Sequence, residues 1–324
     1  MSLTDSEAQA LAVQAGAQWG AGTASRLIKN RENAVFEITL PQTRAALRLH
    51  RHGYQTAAAI RSELWWCEAL AKAGLPVPIA IRARNGDLLA DLGAGQLASV
   101  IAWVEGTILG QADIPLAGTP EQQCARYAAL GTLIARIHTA TDALDLPQDF
   151  DRPYWDIDGL VGPNPLWGRF WEHPVLSELE AATLRQVAQH CYAQLTEYAA
   201  GGVDVGLIHA DLLRENVILH PDSNTMTLID FDDSGFGFRL FDLGTALSQN
   251  LYEPSRDALA GALIQGYGAH RPLPARDVAM VPVFTLLRCL ASLGWTMGRL
   301  PADHPRARHY AERAIIAAGL ARLT

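Results

Sequence analysis

Three oxygen-bearing side chains, Asp211, Asn216 and Asp230, are spaced in a way that could serve one reaction. Asp211 stands five residues before Asn216. Residues 217–220 and 226–229 are two apolar-leaning runs, and Pro221-Asp222-Ser223-Asn224-Thr225 between them is a turn cluster. The pattern predicts a hairpin. Antiparallel pairing would bring Asn216, at the start of its first strand, and Asp230, at the end of its second, to one open end. Asp211 sits on the loop leading in. Hard cations such as Mg2+ take oxygen ligands and keep phosphate and water as further partners. An Asn and an Asp suit that task, and a third carboxylate held off the metal could orient and deprotonate a hydroxyl. Positioning, charge neutralisation and a base are what phosphoryl transfer requires.

The elements that must hold these groups are legible on either side. Thr4-Asp5-Ser6-Glu7 reads as a capping box that opens a helix reaching about Trp19. Strands are expected over 26–30, 34–40 and 44–50, with a turn at Asn30-Arg31-Glu32-Asn33. A helix over about 56–73 is stopped by Gly74, Pro76 and Pro78. A strand within 77–82 or 88–92 and another over 98–104 complete a mostly β region. After Glu105-Gly106 the pattern turns helical, with a second capping box at Thr119-Pro120-Glu121-Gln122. Further helices are expected over about 177–198, 255–267, 275–297 and 304–320, with the compact β-like stretch 206–243 between them. The expectation is an α+β chain of two lobes: residues 1–104, small and β-rich with one key helix, and 105–324, larger and mostly helical.

Composition narrows the function. The 324 residues are 49% hydrophobic and 19% charged, with a net charge of −8. That is a globular chain without the basic footprint of a nucleic-acid binder. Lys29 and Lys72 are its only lysines and neither follows a glycine, so the phosphate-binding G-x-x-x-x-G-K-[ST] loop is absent. H-E-x-x-H, G-x-S-x-G and C-x-x-C are absent as well. Cys67, Cys124, Cys191 and Cys289 are far apart and read as buried free thiols in a reducing compartment. No basic, apolar leader opens the chain. The apolar run 278–295 contains Pro282 and Arg288 and reads as a buried helix, not a membrane span. A cytoplasmic protein, with no membrane or nucleic-acid partner, is expected; the oligomeric state is not legible.

His209-Ala210-Asp211-Leu212-Leu213-Arg214-Glu215-Asn216 resembles the catalytic loop of kinases, with its Asp-x-x-x-x-Asn spacing kept. Ile229-Asp230-Phe231-Asp232 resembles the metal-binding Asp motif downstream, and Asp242-Leu243 a later pair that anchors the loop. The chain as a whole is similar to the aminoglycoside phosphotransferase/choline kinase superfamily, which has a protein-kinase-like bilobal fold. Within it, the resemblance is greatest to the homoserine kinase type II and stress-response-kinase-like group. The resemblance implies ATP and Mg2+ as cofactors, Asp211 as catalytic base, Asn216 and Asp230 as metal ligands and His209 as a structural support. Asp232 is a candidate for metal or substrate support, although a solvated loop carboxylate is an equal reading of Asp232 and Asp233. Arg214 and Trp155 are further candidates for support. Trp155 falls in an aromatic cluster with Tyr154, Trp167, Phe170 and Trp171 that reads either as packing or as a pocket wall.

The same resemblance assigns a nucleotide site to the first lobe. Ala46-Leu47-Arg48 matches the family's Ala-x-Lys, with Arg in place of Lys. Arg48 would hold ATP phosphates and pair with a helix carboxylate, Glu63 first and Glu68 second; the Arg fork differs from a Lys point charge. The turn from Asn30 to Ala34, including Asn33, sits where the phosphate-covering loop belongs but contains no glycine. Ile101-Ala102-Trp103-Val104 would receive adenine through backbone groups. His138 reads as a packed or helix-capping residue. Gly93-Ala94-Gly95 precedes a strand, so it reads as a hairpin turn and not a dinucleotide fingerprint. The loop lacks the Arg of His-Arg-Asp, and the segment between Asp230 and Asp242 is short. Both features favour a small-molecule hydroxyl acceptor, such as an amino acid or amino alcohol. A Ser/Thr protein kinase of the stress-response type and a non-catalytic nucleotide-binding regulator are the alternatives. Arg152, Arg239 and Arg288 are candidates to meet an acceptor carboxylate.

Overall fold

A computed structural model describes residues 3–23, 25–30, 33–221, 225–301 and 303–323. Arg31 and Glu32 of the first predicted turn, and Asp222, Ser223 and Asn224 of the hairpin turn, lie outside the described residues. The chain divides into two compact units, one of Met1–Thr107, Leu144–Arg152 and Thr227–Asp232, the other of Ile108–Ala143, Pro153–Met226 and Asp233–Thr324.

In the first, smaller unit, α1 (Asp5–Trp19) is followed by β1 (Ser25–Asn30), β2 (Ala34–Thr39), β3 (Arg44–Leu49), α2 (Ala57–Lys72), β4 (Leu89–Asp91) and β5 (Leu97–Ala102). The strands form one antiparallel sheet in the order β1-β2-β3-β5-β4. Alternation along β3 decides which side chains do what. Ala45, Leu47 and Leu49 are buried with Phe36, Ile38 and Val100 against Ala8, Ala12, Ala15 and Trp19 of α1. Period-2 geometry therefore turns Ala46 and Arg48 to the other face. The capping box of α1 is formed, with Thr4 Oγ1 accepting from Glu7 N–H. Of the two strand options after α2, the chain takes Leu89–Asp91; Ala80 makes only an isolated bridge to Ile101. Gly93-Ala94-Gly95 is the turn between β4 and β5, with φ of 89°, 52° and 77°, and Gln96 N–H closes it on Gly93 C=O at 3.0 Å. Glycine carries the left-handed conformation there at no steric cost.

The second unit is built mainly from helices. β6 (Thr107–Ile108) marks the passage of the chain into it. There follow α3 (Pro120–Asp142), β7 (Tyr154–Trp155), α4 (Ile157–Val161), α5 (Glu178–Ala200), β8 (Val205–Ile208), β9 (Val217–Leu219) and β10 (Met226–Leu228), where the chain passes back. β11 (Gly235–Phe238), α6 (Leu240–Ser248), α7 (Arg256–Gly268), α8 (Ala275–Thr296) and α9 (Pro305–Leu320) complete it. β11 pairs parallel with β7 and antiparallel with β8. His220 N–H meets Thr225 C=O at 3.1 Å, closing the turn that leads from β9 to β10. Helices α3 and α7 touch backbone to backbone at Gly131 and Gly266. A Cβ on Gly131 would strike the Leu263 carbonyl, and one on Gly266 the Ala128 carbonyl. α8 is long and apolar enough to cross a membrane by length and composition, but it is mostly buried within the protein. Arg288 is enclosed within it. All four cysteines are free; Cys67, Cys191 and Cys289 are buried, while Cys124 is only partly so.

Candidate active site

Arg48 is the centre of the polar set in the smaller unit. It projects from β3 and its Nη1 donates to Glu63 Oε1 on α2 at 2.8 Å, while Nη2 donates to Asp230 Oδ1 at 3.2 Å. Asp232 Oδ1 stands 3.9 Å from Nη1. Burial works against the charged guanidinium, but the three carboxylates outweigh it and hold its pKa above the ordinary value. Burial likewise raises Glu63, opposed by Arg48. The helix carboxylate is thus Glu63. Glu68 pairs with Arg82 at 2.9 Å, and both Arg82 and Lys72, its other partner, are exposed.

Residues 229–232 are fixed from several sides. Phe231 packs edge-on to Trp66 of α2, with ring centroids 5.2 Å apart. Arg152 donates to Ala59 C=O at 3.1 Å and to the carbonyls of Phe231 and Asp232. Asn33 Nδ2 donates to Asp232 Oδ2 at 3.0 Å, and its Oδ1 accepts Arg51 N–H at 2.9 Å. Asp230 holds φ at +66°, a conformation that costs a non-glycine residue about 1–3 kcal/mol and is found at functional sites. Asp232 Oδ1 and Glu63 Oε2 are buried without a hydrogen-bond partner. Counting Arg48 and Arg152 against Glu63, Asp230 and Asp232, carboxylates exceed cations by one.

Trp103 N–H is taken by Arg44 C=O at 3.3 Å and Ala102 N–H by Ile79 C=O at 2.8 Å. Arg44 also lies over the Trp103 ring at 4.6 Å. Ile101 is a strand residue paired with Ala46. The first backbone N–H past β5 with no hydrogen bond among the described residues is that of Val104.

In the larger unit, Asp242 at the start of α6 anchors the loop that carries Asp211. Its carboxylate accepts His209 N–H at 3.0 Å, Ala210 N–H at 2.7 Å and His138 Nε2 at 2.9 Å. Burial would raise its pKa, but these donors hold it below the ordinary carboxylate value. Ala210 takes φ of +64°. His209 Nδ1 accepts Asp211 N–H at 3.3 Å, the supporting role expected of it. A 3-10 turn over Arg214–Asn216 returns the chain, and Asn216 Nδ2 donates to Asp211 C=O at 2.8 Å and to Oδ2 at 2.7 Å. Oδ1 of Asp211 accepts Arg288 Nη2 from α8 at 2.6 Å.

Two of the candidates for support are reassigned. Arg214 spends all five donors on the protein: Nε on Asn250, Nη1 on the carbonyls of Gln111 and Ile114, Nη2 on Asn250 and Glu253. No donor remains for a substrate or a phosphate on a metal, so it ties the loop to the helices. Trp155 is buried, stacks on Phe241 at 5.3 Å, meets Trp167 edge-on at 4.9 Å and donates to Asp233 C=O; it is packing. Of the two readings of His138 the packed one holds: α3 runs on to Asp142, and His138 is buried between Asp242 and Tyr267. Arg152 and Arg239 are likewise committed to the protein, the latter to Leu207 C=O and Asp142. Sequence reading missed the Arg288–Asp211 pair. Its signal was a lone basic residue in the apolar run 278–295.

A strained acidic motif behind a strand arginine and a braced Asp-x-x-x-x-Asn loop define a kinase-like phosphotransferase. The comparisons agree. A model of the phosphotransferase enzyme family matches residues 23–278, and the chain belongs to that family. A microcompartment-associated aminopropanol kinase structure is similar at TM-score 0.82 and 30% identity, over 97% of this chain and 96% of the other. An amicoumacin kinase in complex with AMP-PNP and Ca2+ shares the fold at TM-score 0.74 and 18% identity, over 99% and 97% of the two chains. A homoserine kinase of Rhizobium etli is 29% identical over 224 residues; the match spans 67% of this chain and 62% of that protein. The chain is a small-molecule kinase of this family, with the protein-kinase-like fold.

Proposed function

We propose that the protein transfers the γ-phosphoryl group of ATP, with Mg2+, to a hydroxyl of a small molecule, an amino alcohol or a hydroxy amino acid. The observation that carries this is Asp211, one carboxylate held at both oxygens on a loop whose backbone N–H groups are fixed by Asp242. Such a group is held in one orientation, which suits a general base that must meet a hydroxyl. It takes the hydroxyl proton as the oxygen attacks.

The donor chemistry fits Mg2+. Asp230 is one-third exposed, Asp232 Oδ1 is a buried acceptor with no hydrogen bond among the described residues, and Asn216, whose amide nitrogen serves Asp211, keeps Oδ1 as its acceptor. Among the described residues no group of three or more His, Cys, Asp or Glu could hold a metal ion. On the resemblance of their two motifs, Asn216 and Asp230 are the proposed ligands, with Asp232 in support. The ion, when bound, neutralises charge on the phosphates. Arg48 serves the phosphates and is oriented by Glu63. Ala46 borders the adenine, and the backbone donor of the 101–104 segment is Val104.

The acceptor class follows from the similar aminopropanol and homoserine kinases. Between Asp230 and Asp242 the chain forms only a turn, β11 and the start of α6, which offers no long peptide-docking segment. A cytoplasmic location accords with the four free thiols. The test is ADP release from Mg-ATP with 1-amino-2-propanol, L-homoserine, choline and an aminoglycoside offered singly. An acceptor-dependent rate is expected with one of the first two. Turnover of none of the four, with ATP bound, would overturn the reading.

A further inference from the structure

Arg288 is an unusual residue to find in α8. Leu286, Leu287, Cys289 and Leu290 beside it in the chain are apolar, and its side chain is 4% exposed. A buried guanidinium is costly unless something fixes and pairs it. Here the fixing is elaborate. Nη1 donates to Ser292 Oγ, one helical turn on, at 2.6 Å. The guanidinium carbon lies 4.9 Å over the Trp167 ring, and Trp167 is itself wedged edge-on against Trp155. Among the described residues the one carboxylate it meets is Asp211, at 2.6 Å from Nη2. Nε is buried with no hydrogen bond among the described residues, so the side chain leaves one donor unmet in the pose that reaches Asp211.

We propose that Arg288 is a positioning residue for the phosphoryl-transfer base. It holds Oδ1 while Asn216 holds Oδ2, which fixes the carboxylate in one rotamer. In the reaction the acceptor O–H proton passes to an Asp211 oxygen. The acceptor oxygen bonds to the γ-phosphorus, and the bond from that phosphorus to the bridging oxygen breaks, leaving ADP with the electron pair. Arg288 stays protonated throughout and touches neither phosphate nor acceptor. This inference rests on the reading of Asp211 as base.

A double-mutant cycle tests it, with Arg288→Met, Arg288→Lys, Asp211→Asn and the Asp211→Asn/Arg288→Met pair. The readout is ADP release from Mg-ATP with 1-amino-2-propanol or L-homoserine, or with water as acceptor where neither is turned over. Freeing the base should lower kcat roughly 10²-fold in Arg288→Met, with KM for ATP unchanged. Arg288→Lys should recover part of that loss, and it carries the test if the Met variant fails to fold. On the Asp211→Asn background the Met substitution should cost nothing further, because coupled residues are not additive. Equal losses on both backgrounds would make Arg288 merely structural and overturn the proposal. Asp211→Asn at the wild-type rate would instead remove the base reading beneath it.

Discussion

The two units handle charge in opposite ways. In the smaller, one strand arginine is shared by Glu63, Asp230 and Asp232, and carboxylates are in excess. In the larger, one carboxylate, Asp211, is shared by Arg288 and Asn216, and donors are in excess. An acid-rich set with unpartnered oxygens suits the cation proposed for it. A donor-rich set around a single acid is built to hold that acid still. Binding and base chemistry therefore place contrary demands on similar side chains, and backbone strain at Asp230 and Ala210 marks both.

The contrast breaks most severely at Arg48. Arg48→Met leaves Glu63 buried without its cation, and loss of one partner of a buried pair costs about 3–5 kcal/mol. Urea unfolding should show a loss of that size, with KM for ATP raised. Arg48→Lys should restore most of the stability, since it keeps the charge and loses only the fork.

Asp242→Asn tests the larger unit. It weakens the acceptor of two backbone N–H groups and of His138, and charge-assisted hydrogen bonds of this kind are worth about 1.5–3 kcal/mol each. A loss of about 3 kcal/mol is expected, with kcat lowered and ATP affinity kept.

Acid should destabilise both units. Burial lowers the pKa of His50 in the smaller and of His138 in the larger, aided by Arg48 in one case and opposed by Asp242 in the other. The folded protein keeps both neutral, whereas the unfolded chain takes up protons below about pH 6.5. Stability is full above that pH and is lost as pH falls through and below it. Melting temperature should drop from pH 7.5 to 5.5, and His50→Gln should flatten the slope.

The smallest effect separates the two helix carboxylates. Glu68→Ala removes exposed pairs worth about 0–1 kcal/mol and should leave turnover unchanged. A fall in turnover would move the helix carboxylate from Glu63.

Much of this was legible beforehand because it is local. Capping at Thr4 and Thr119, the alternation that turns Arg48 away from the α1 face, and the Asp-x-x-x-x-Asn loop each depend on residues a few positions apart. Glu63 followed from position along α2. What escaped depends on long-range packing. Arg288 reaches Asp211 only because α8 and the loop meet in space, and Phe231 is seated by Trp66 of α2. Arg214 and Trp155 carry side chains suited to a ligand, and only the fold shows those side chains spent on Glu253, Asn250 and Asp233.

The central claim is that Asp211 is the base of a small-molecule kinase. The most direct measurement compares acceptor-stimulated ADP release by the wild type and Asp211→Asn, with ATP binding followed by calorimetry. A fall in kcat on the order of 10²–10⁴-fold, with ATP still bound, is the predicted result. Undiminished turnover by Asp211→Asn would contradict it.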